Sequence, residues 1–199
     1  MKATLSSPTA YQAFQVLGGF FGARIKMIRA LLPLTAGDRV VDVGCGPGFL
    51  AVRLPGDIAY VGYDTDERYI GYAQAHFGHR GRFVLGLFDE SAAAALAPVD
   101  VIMMNGLLHH LNDDEARQTI AVAHSALRPG GFLFTLDGCF VPDQSAIARY
   151  LLKKDRGEFV RERDGYVSLV EPVFGRTDVH IDSHLSRVPY TFIVMLARK

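Results

Sequence analysis

Between Arg39 and Leu136 the chain alternates short apolar runs with longer segments of helical period. Five runs stand out, at residues 39–43 (RVVDV), 59–63 (AYVGY), 82–87 (RFVLGL), 100–105 (DVIMMN) and 131–136 (GFLFTL). They are nearly continuous in apolar residues, which predicts strands covered on both faces, as in a parallel sheet. The clearest helix follows HHLNDDE. There Asn112 suits an N-cap, Glu115 stands three positions on, and Ala116, Ile120, Ala123 and Leu127 form one apolar stripe that RPGG ends. Strands alternating with helices in this way predict βαβ units. After Leu136 the pattern changes, and residues 170–184 (VEPVFGRTDVHIDSH) and 188–199 (VPYTFIVMLARK) read as two neighbouring strands paired antiparallel. Residues 11–32 read as helical with a break at Gly18-Gly19. The expected fold is α/β, a doubly wound sheet of seven strands, mostly parallel, with a closing antiparallel hairpin. It forms one domain over residues 1–199, with a helical cap at 1–35 and a candidate lid at 137–175.

Composition narrows the partners. The 199 residues carry 21 basic and 21 acidic side chains and are 49% hydrophobic, so neither a polyanion partner nor a disordered tail is indicated and no nucleic acid is expected. The first residues lack an apolar signal core and no stretch approaches the 18 or so apolar residues of a membrane span, so no membrane partner and a cytoplasmic location are expected. Cys45 and Cys139 form no disulfide framework and have no metal-site spacing. The stretch at 149–164, with six basic and four acidic residues, reads as a solvated face.

The chemistry concentrates after the first strand. Residues 42–48 read D-x-G-x-G-x-G, and a glycine turn between a strand and a helix lets a ligand approach backbone N–H groups closely. A dinucleotide fingerprint would need a glycine where Phe49 stands. With this spacing the chain resembles the class I S-adenosylmethionine (SAM) dependent methyltransferases, whose Rossmann-like fold matches the expected sheet. The resemblance spans about residues 36–137 and implies SAM as cofactor. Gly44, Cys45, Gly46 and Gly48 would present backbone N–H groups to its anionic end. Asp42 would balance its ammonium, and Asp64, with Thr65 beside it, would take the ribose hydroxyls. GLFDES implies Phe88 and Asp89 as neighbours of the adenine, and NGLLHHL implies Asn105 and Gly106 beside the sulfonium. LRPGGFLF is similar to a helix-to-strand join common in the group.

The reaction implied is methyl transfer to a small-molecule acceptor. The N/D-P-P-Y/F segment associated with amino methylation of nucleobases is absent from NGLLHH. The ends of the fourth and fifth strands would bring His109 or His110 next to Asp137, a pair able to take a proton from a hydroxyl acceptor. Aromatic residues of the cap and lid, Tyr11, Phe14, Phe140 and Tyr150, are candidates for the acceptor pocket. No metal is implied. Two other readings are a SAM-binding protein without catalysis and a nicotinamide-dependent short-chain oxidoreductase. The latter rests on Y-x-x-x-K at Tyr150–Lys154, but the glycine spacing differs and Tyr150 follows the fifth strand instead of the fourth.

Overall fold

The computed structural model describes residues 17–154 and 157–199. Helix α1 (Phe20–Leu31) leads to β1 (Arg39–Val43), then β2 (Ala59–Asp64), α2 (Glu67–Phe77), β3 (Arg82–Leu85), α3 (Glu90–Leu96) and β4 (Val99–Asn105). There follow α4 (Asp113–Ala126), β5 (Leu127–Phe140), α5 (Ala146–Lys153), β6 (Arg161–Glu162), α6 (Arg163–Phe174), β7 (Thr177–Asp182) and β8 (Phe192–Arg198). The sheet order is β3-β2-β1-β4-β5-β8-β7, with β6 paired to β5 off that path. Strands β1 to β5 run parallel, with Val41 opposite Val61 and Ile102, and Ile102 opposite Leu133. Strand β8 turns antiparallel against β5 (Leu136 opposite Val194) and β7 against β8 (Val179 opposite Met195). The sheet has eight strands, one more than the pattern predicted, because β6 adds a two-residue parallel pairing to the end of β5.

Both faces of the strands are covered, which is why they read as unbroken apolar runs. Ile102, Leu133, Ile120 and Leu169 share one buried cluster, and Met103, Phe134, Ile28, Ile70 and Leu152 share the other. Each side chain buried this way stabilises by about 1.5–3 kcal/mol relative to exposure. Helix α4 starts on the predicted capping box: Asn112 Oδ1 accepts from the N–H groups of Asp114 and Glu115, both at 3.0 Å, and Glu115 Oε2 accepts from the Asn112 N–H at 2.9 Å. The break at Gly18-Gly19 is a turn, with Gly19 in the left-handed region at φ 79° and Arg187 N–H bonded to the Gly18 carbonyl at 3.1 Å. The predicted helix before it, with Tyr11 and Phe14, lies outside the described residues.

One predicted strand is corrected. VEPVF belongs to α6, not to the hairpin, which begins only at Thr177. Tyr166, Leu169, Val170 and Phe174 are buried at helical spacing, and Pro172 sits on the exposed side of the last turn. A short apolar run around a proline fits either period, and the packing against α4 decides it. Among the described residues no helix is long and apolar enough to cross a membrane.

Strand order reverses between β1 and β4, so the crevice at their carboxyl ends is the place where such a sheet receives a ligand.

Candidate active site

The turn after β1 is held open by local bonds. Gly44, Gly46 and Gly48 have φ of 75°, 55° and 78°. The N–H groups of Gly44 and Cys45 both donate to the Tyr63 carbonyl, and the Gly46 N–H donates to Asp64 Oδ2 at 2.8 Å. Asp64 Oδ1 accepts from the Asp66 N–H at 2.9 Å, so this carboxylate ties the glycine turn to the end of β2. The glycines have different duties. A Cβ on Gly46 would meet nothing within 4 Å, whereas one on Gly48 would stand 2.7 Å from Phe83 Cε1 and 2.9 Å from the Ala73 Cβ. Gly46 faces open space and Gly48 allows the turn to pack on the core.

A cavity of about 440 Å³ opens over this turn, and its walls include Gly44, Gly46, Asp64, Thr65, Phe88, Asn105, Gly106 and His110. Asp42 and Cys45 line a smaller one of about 40 Å³ that shares Gly44, Gly46 and Asn105 with it and is closed on one side by Phe21 and Arg24 of α1. Asp89 lines neither. It caps α3, accepting from the Ala92 N–H at 2.8 Å. The Phe88 ring packs edge-on against Tyr63 in the core, 5.3 Å between centroids.

Two charged side chains, Asp42 and Arg24, line the smaller cavity. Asp42 is buried, Oδ2 accepts from the Tyr60 hydroxyl at 2.8 Å, and Oδ1 has no partner among the described residues. Burial pushes its pKa up to about 6, against the opposing pull of the Tyr60 hydroxyl, the Asn105 amide and the Arg24 guanidinium. Burial and the Asp42 charge push the Tyr60 phenol up in turn. Among the described residues, Arg24 Nε and both side-chain polar atoms of Asn105 are buried without a hydrogen-bond partner. Arg24 Nη2 reaches within 3.3 Å of where a Cβ on Gly106 would sit, and His109 Cε1 lies 3.5 Å from the same point.

That glycine separates the charge pair from the histidines. His109 and Asp137 are both buried, and His109 Nδ1 lies 2.7 Å from Asp137 Oδ1. A carboxylate can only accept, so Nδ1 carries the proton and Nε2 becomes the basic nitrogen of the ring. His110 points the other way, into the larger cavity, and its ring lies 4.2 Å from that of His109. Of the aromatic candidates, Tyr150 is 60% exposed on α5 and Phe140 stacks under Arg149, and neither lines a described cavity.

Arg161, inside the run read as a solvated face, corrects that reading. Its side chain is only 10% exposed. Nη1 donates to the carbonyls of Leu108 and Phe159 at 2.8 and 2.9 Å, and Nη2 to the Leu111 carbonyl at 2.8 Å and to Asp113 Oδ1 at 2.7 Å. It therefore brackets the histidine turn on both sides. Phe159 and Val160 immediately before it are the one sign in the sequence that the run turns inward there.

These features suit one kind of ligand. The open backbone at Gly46, the rim carboxylate of Asp64 and the unpaired Asp42 and Arg24 define a protein that receives a nucleoside cofactor bearing an amino-acid zwitterion. SAM fits: Asp64 retains lone pairs for the ribose diol, Asp42 Oδ1 is available to an ammonium, and Arg24 to a carboxylate. Residues 40–131 match the family model described as a methyltransferase domain. The ubiquinone biosynthesis O-methyltransferase of Aromatoleum aromaticum is 31% identical over 145 residues, 69% of this chain and 59% of that protein. The ribosomal RNA small subunit methyltransferase A of Gloeobacter violaceus is 36% identical over 84 residues, 42% of this chain and 31% of that protein. The human N-acetylserotonin methyltransferase in complex with SAM shares the fold at a TM-score of 0.72 and 19% identity, over 99% of this chain and 58% of that one. The chain belongs to the class I SAM-dependent methyltransferases. It spans about half the length of the curated relatives it matches.

Proposed function

We propose that the chain transfers a methyl group from SAM to a hydroxyl of a small molecule, with His109 as general base and Asp137 as its partner. The buried His109–Asp137 contact, set beside Gly106 at the edge of the cofactor crevice, carries this reading. Bound SAM would supply the methyl as an electrophile. The protein's own work is alignment and one proton. Asp64 would hold the ribose, Asp42 and Arg24 would hold the two ends of the methionine arm, and Gly106 would leave space at the sulfur. As the acceptor oxygen bonded the methyl carbon, the carbon–sulfur bond would break with its electron pair going to sulfur, S-adenosylhomocysteine would leave, and the hydroxyl proton would pass to His109 Nε2, with Asp137 stabilising the imidazolium that results. An O-methyltransferase among the relatives and the balanced charge support a small acceptor over RNA.

The test is release of S-adenosylhomocysteine across phenols, quinols, amines and a short RNA. Turnover with a phenol or quinol that falls in His109→Ala supports the proposal. Binding without turnover on any of them would leave a SAM-binding protein, and turnover on RNA alone would replace the acceptor class.

A further inference from the structure

His109 is gripped from two sides, and only one of them is Asp137. The other is a strap, residues 157–161, that crosses the histidine turn. A Cβ on Gly157 would lie 1.9 Å from His109 Cδ2, 2.8 Å from Cγ and 2.7 Å from the His109 carbonyl, so the strap backbone runs flush against the ring. Gly157 is not among the glycines with positive φ, so the ring and not the backbone conformation is what demands a glycine there. Two residues on, the Phe159 N–H donates to the His109 carbonyl at 3.0 Å. At the end of the strap Arg161 takes the carbonyls of Leu108 and Leu111, on either side of the two histidines. Its guanidinium lies over the Tyr166 ring, and the Tyr166 hydroxyl donates to the Gly138 carbonyl at 2.9 Å.

The strap and Asp137 share a foundation. Strand β5 carries Asp137, and two residues later Cys139 pairs with Arg161 in the short β5–β6 ladder. One strand therefore delivers both grips on the ring. The bond from Nδ1 to Asp137 restrains one edge of the imidazole. Gly157 against Cδ2 restrains the opposite edge, and because Nε2 is the atom between Cδ2 and Cε1, it also sets where the basic lone pair points. Cε1 in turn lies toward Gly106, 3.5 Å from its Cβ position.

We propose that Gly157 and Arg161 are positioning residues for His109, a second grip that fixes the direction of Nε2. The inference rests on the reading of His109 as the base. It also places the device outside residues 40–131, the part shared with the methyltransferase domain.

The experiment uses the protein saturated with S-adenosylhomocysteine. Proton NMR reads the downfield Nδ1 proton of the His109–Asp137 bond, and calorimetry reads the affinity for S-adenosylhomocysteine. Asp137→Asn assigns the resonance by removing it. In Gly157→Ala the resonance should vanish or broaden, and in Arg161→Lys, which keeps the charge but cannot fork to two carbonyls, it should shift and broaden. Affinity in both should stay within about threefold, because neither residue touches the cofactor crevice, and turnover should fall by about 10-fold to 100-fold. Where Gly157→Ala does not fold, Arg161→Lys decides. An unchanged resonance in the folded variants overturns the strap while leaving the pair intact. Affinity that collapses together with the resonance also overturns it, since the strap would then be general support for the fold. A wild-type protein without the resonance removes the pair itself, and the proposal with it.

Discussion

Asp137 holds His109 through a single oxygen: Oδ1 accepts from the ring Nδ1 at 2.7 Å and from the His109 backbone N–H at 3.2 Å, while Oδ2 has no partner among the described residues. The double contact fixes the tautomer as well as the place of the ring. Asp137→Asn keeps the shape but offers an amide that can donate to Nδ1 and so favour the wrong tautomer. Turnover should fall by about 10²–10⁴-fold in this variant and in His109→Ala, with affinity for SAM held within a few-fold. Steady-state kinetics with calorimetry checks this. If both variants turn over normally and His110→Ala does not, the base is the ring that lines the larger cavity. If all three are active, transfer needs only alignment.

Asp42 predicts a pH dependence for cofactor binding. With its carboxyl near a pKa of about 6, it is charged at neutral pH and takes up a proton as pH falls through that value. Only the charged form balances an ammonium. Affinity for SAM should therefore decline by about tenfold between pH 7 and 5 and level off above pH 7. The sign for stability is opposite. The folded pKa lies above the ordinary carboxyl value of 3.8, so the native state favours the proton. The stability associated with that proton is full below about pH 4 and is lost as pH rises through 6. Asp42→Asn, whose amide oxygen can still accept from Tyr60, should raise the melting temperature of the ligand-free protein at pH 7 more than at pH 4. The same variant should flatten the pH profile of binding. His110 also faces the crevice, and a profile that persists in Asp42→Asn would assign the effect to that ring.

Two substitutions in one turn should separate folding from binding. Gly48→Ala puts a methyl on a left-handed residue and into Phe83 and Ala73, at 2.7 and 2.9 Å, and should destabilise by about 2–4 kcal/mol. Gly46→Ala carries the conformational strain alone, about 1–2 kcal/mol, because its Cβ meets no atom of the described residues within 4 Å. Its methyl instead occupies space over the turn. Denaturation midpoints should drop more in Gly48→Ala. The loss of SAM affinity should be larger in Gly46→Ala when both are measured well below their midpoints.

The glycine turn, the strands and the His109–Asp137 contact were legible because each depends on local spacing or on a rule of sheet geometry. Val40 and Val41 must be covered on both faces to appear side by side in a strand, and parallel strands bring their carboxyl ends, with His109 and Asp137, to one rim. Arg161 was not legible. Its burial depends on the carbonyls of Leu108 and Leu111, some fifty residues earlier, and nothing in a charge pattern distinguishes a cation facing water from one facing unpaired carbonyls. The strand expected at VEPVF failed for a related reason. Tyr166 and Leu169, upstream of that run, complete its helical stripe, and the alternation within a few residues favoured neither period. Arg24 was missed because nothing in the sequence of α1 separates it from Lys26 and Arg29 of the same helix or ties it to a turn twenty residues away.

Arg24 leads to the last prediction. Arg80 satisfies its guanidinium group on backbone carbonyls and Arg161 on carbonyls and Asp113, but among the described residues Arg24 Nε is buried and unpaired beside Asp42, whose Oδ1 is also unpaired. A bond between the two would neutralise both, yet each is held apart from the other, which suits a ligand with separate positive and negative ends. In SAM those ends are the ammonium and carboxylate of the methionine arm. Removing the guanidinium should cost about 1.5–3 kcal/mol, or roughly 10-fold to 150-fold in affinity for S-adenosylhomocysteine, as expected for a charge-assisted bond. Arg24→Met, which keeps the stem packed, is the variant to use. The control is 5′-methylthioadenosine, which has the nucleoside and the sulfur but no amino-acid arm, and its affinity should not change. Equal losses for both ligands would mean that α1 supports the crevice as a whole. No loss for either would move the carboxylate to the backbone N–H groups of residues 44–48, where the glycine turn by itself first suggested it.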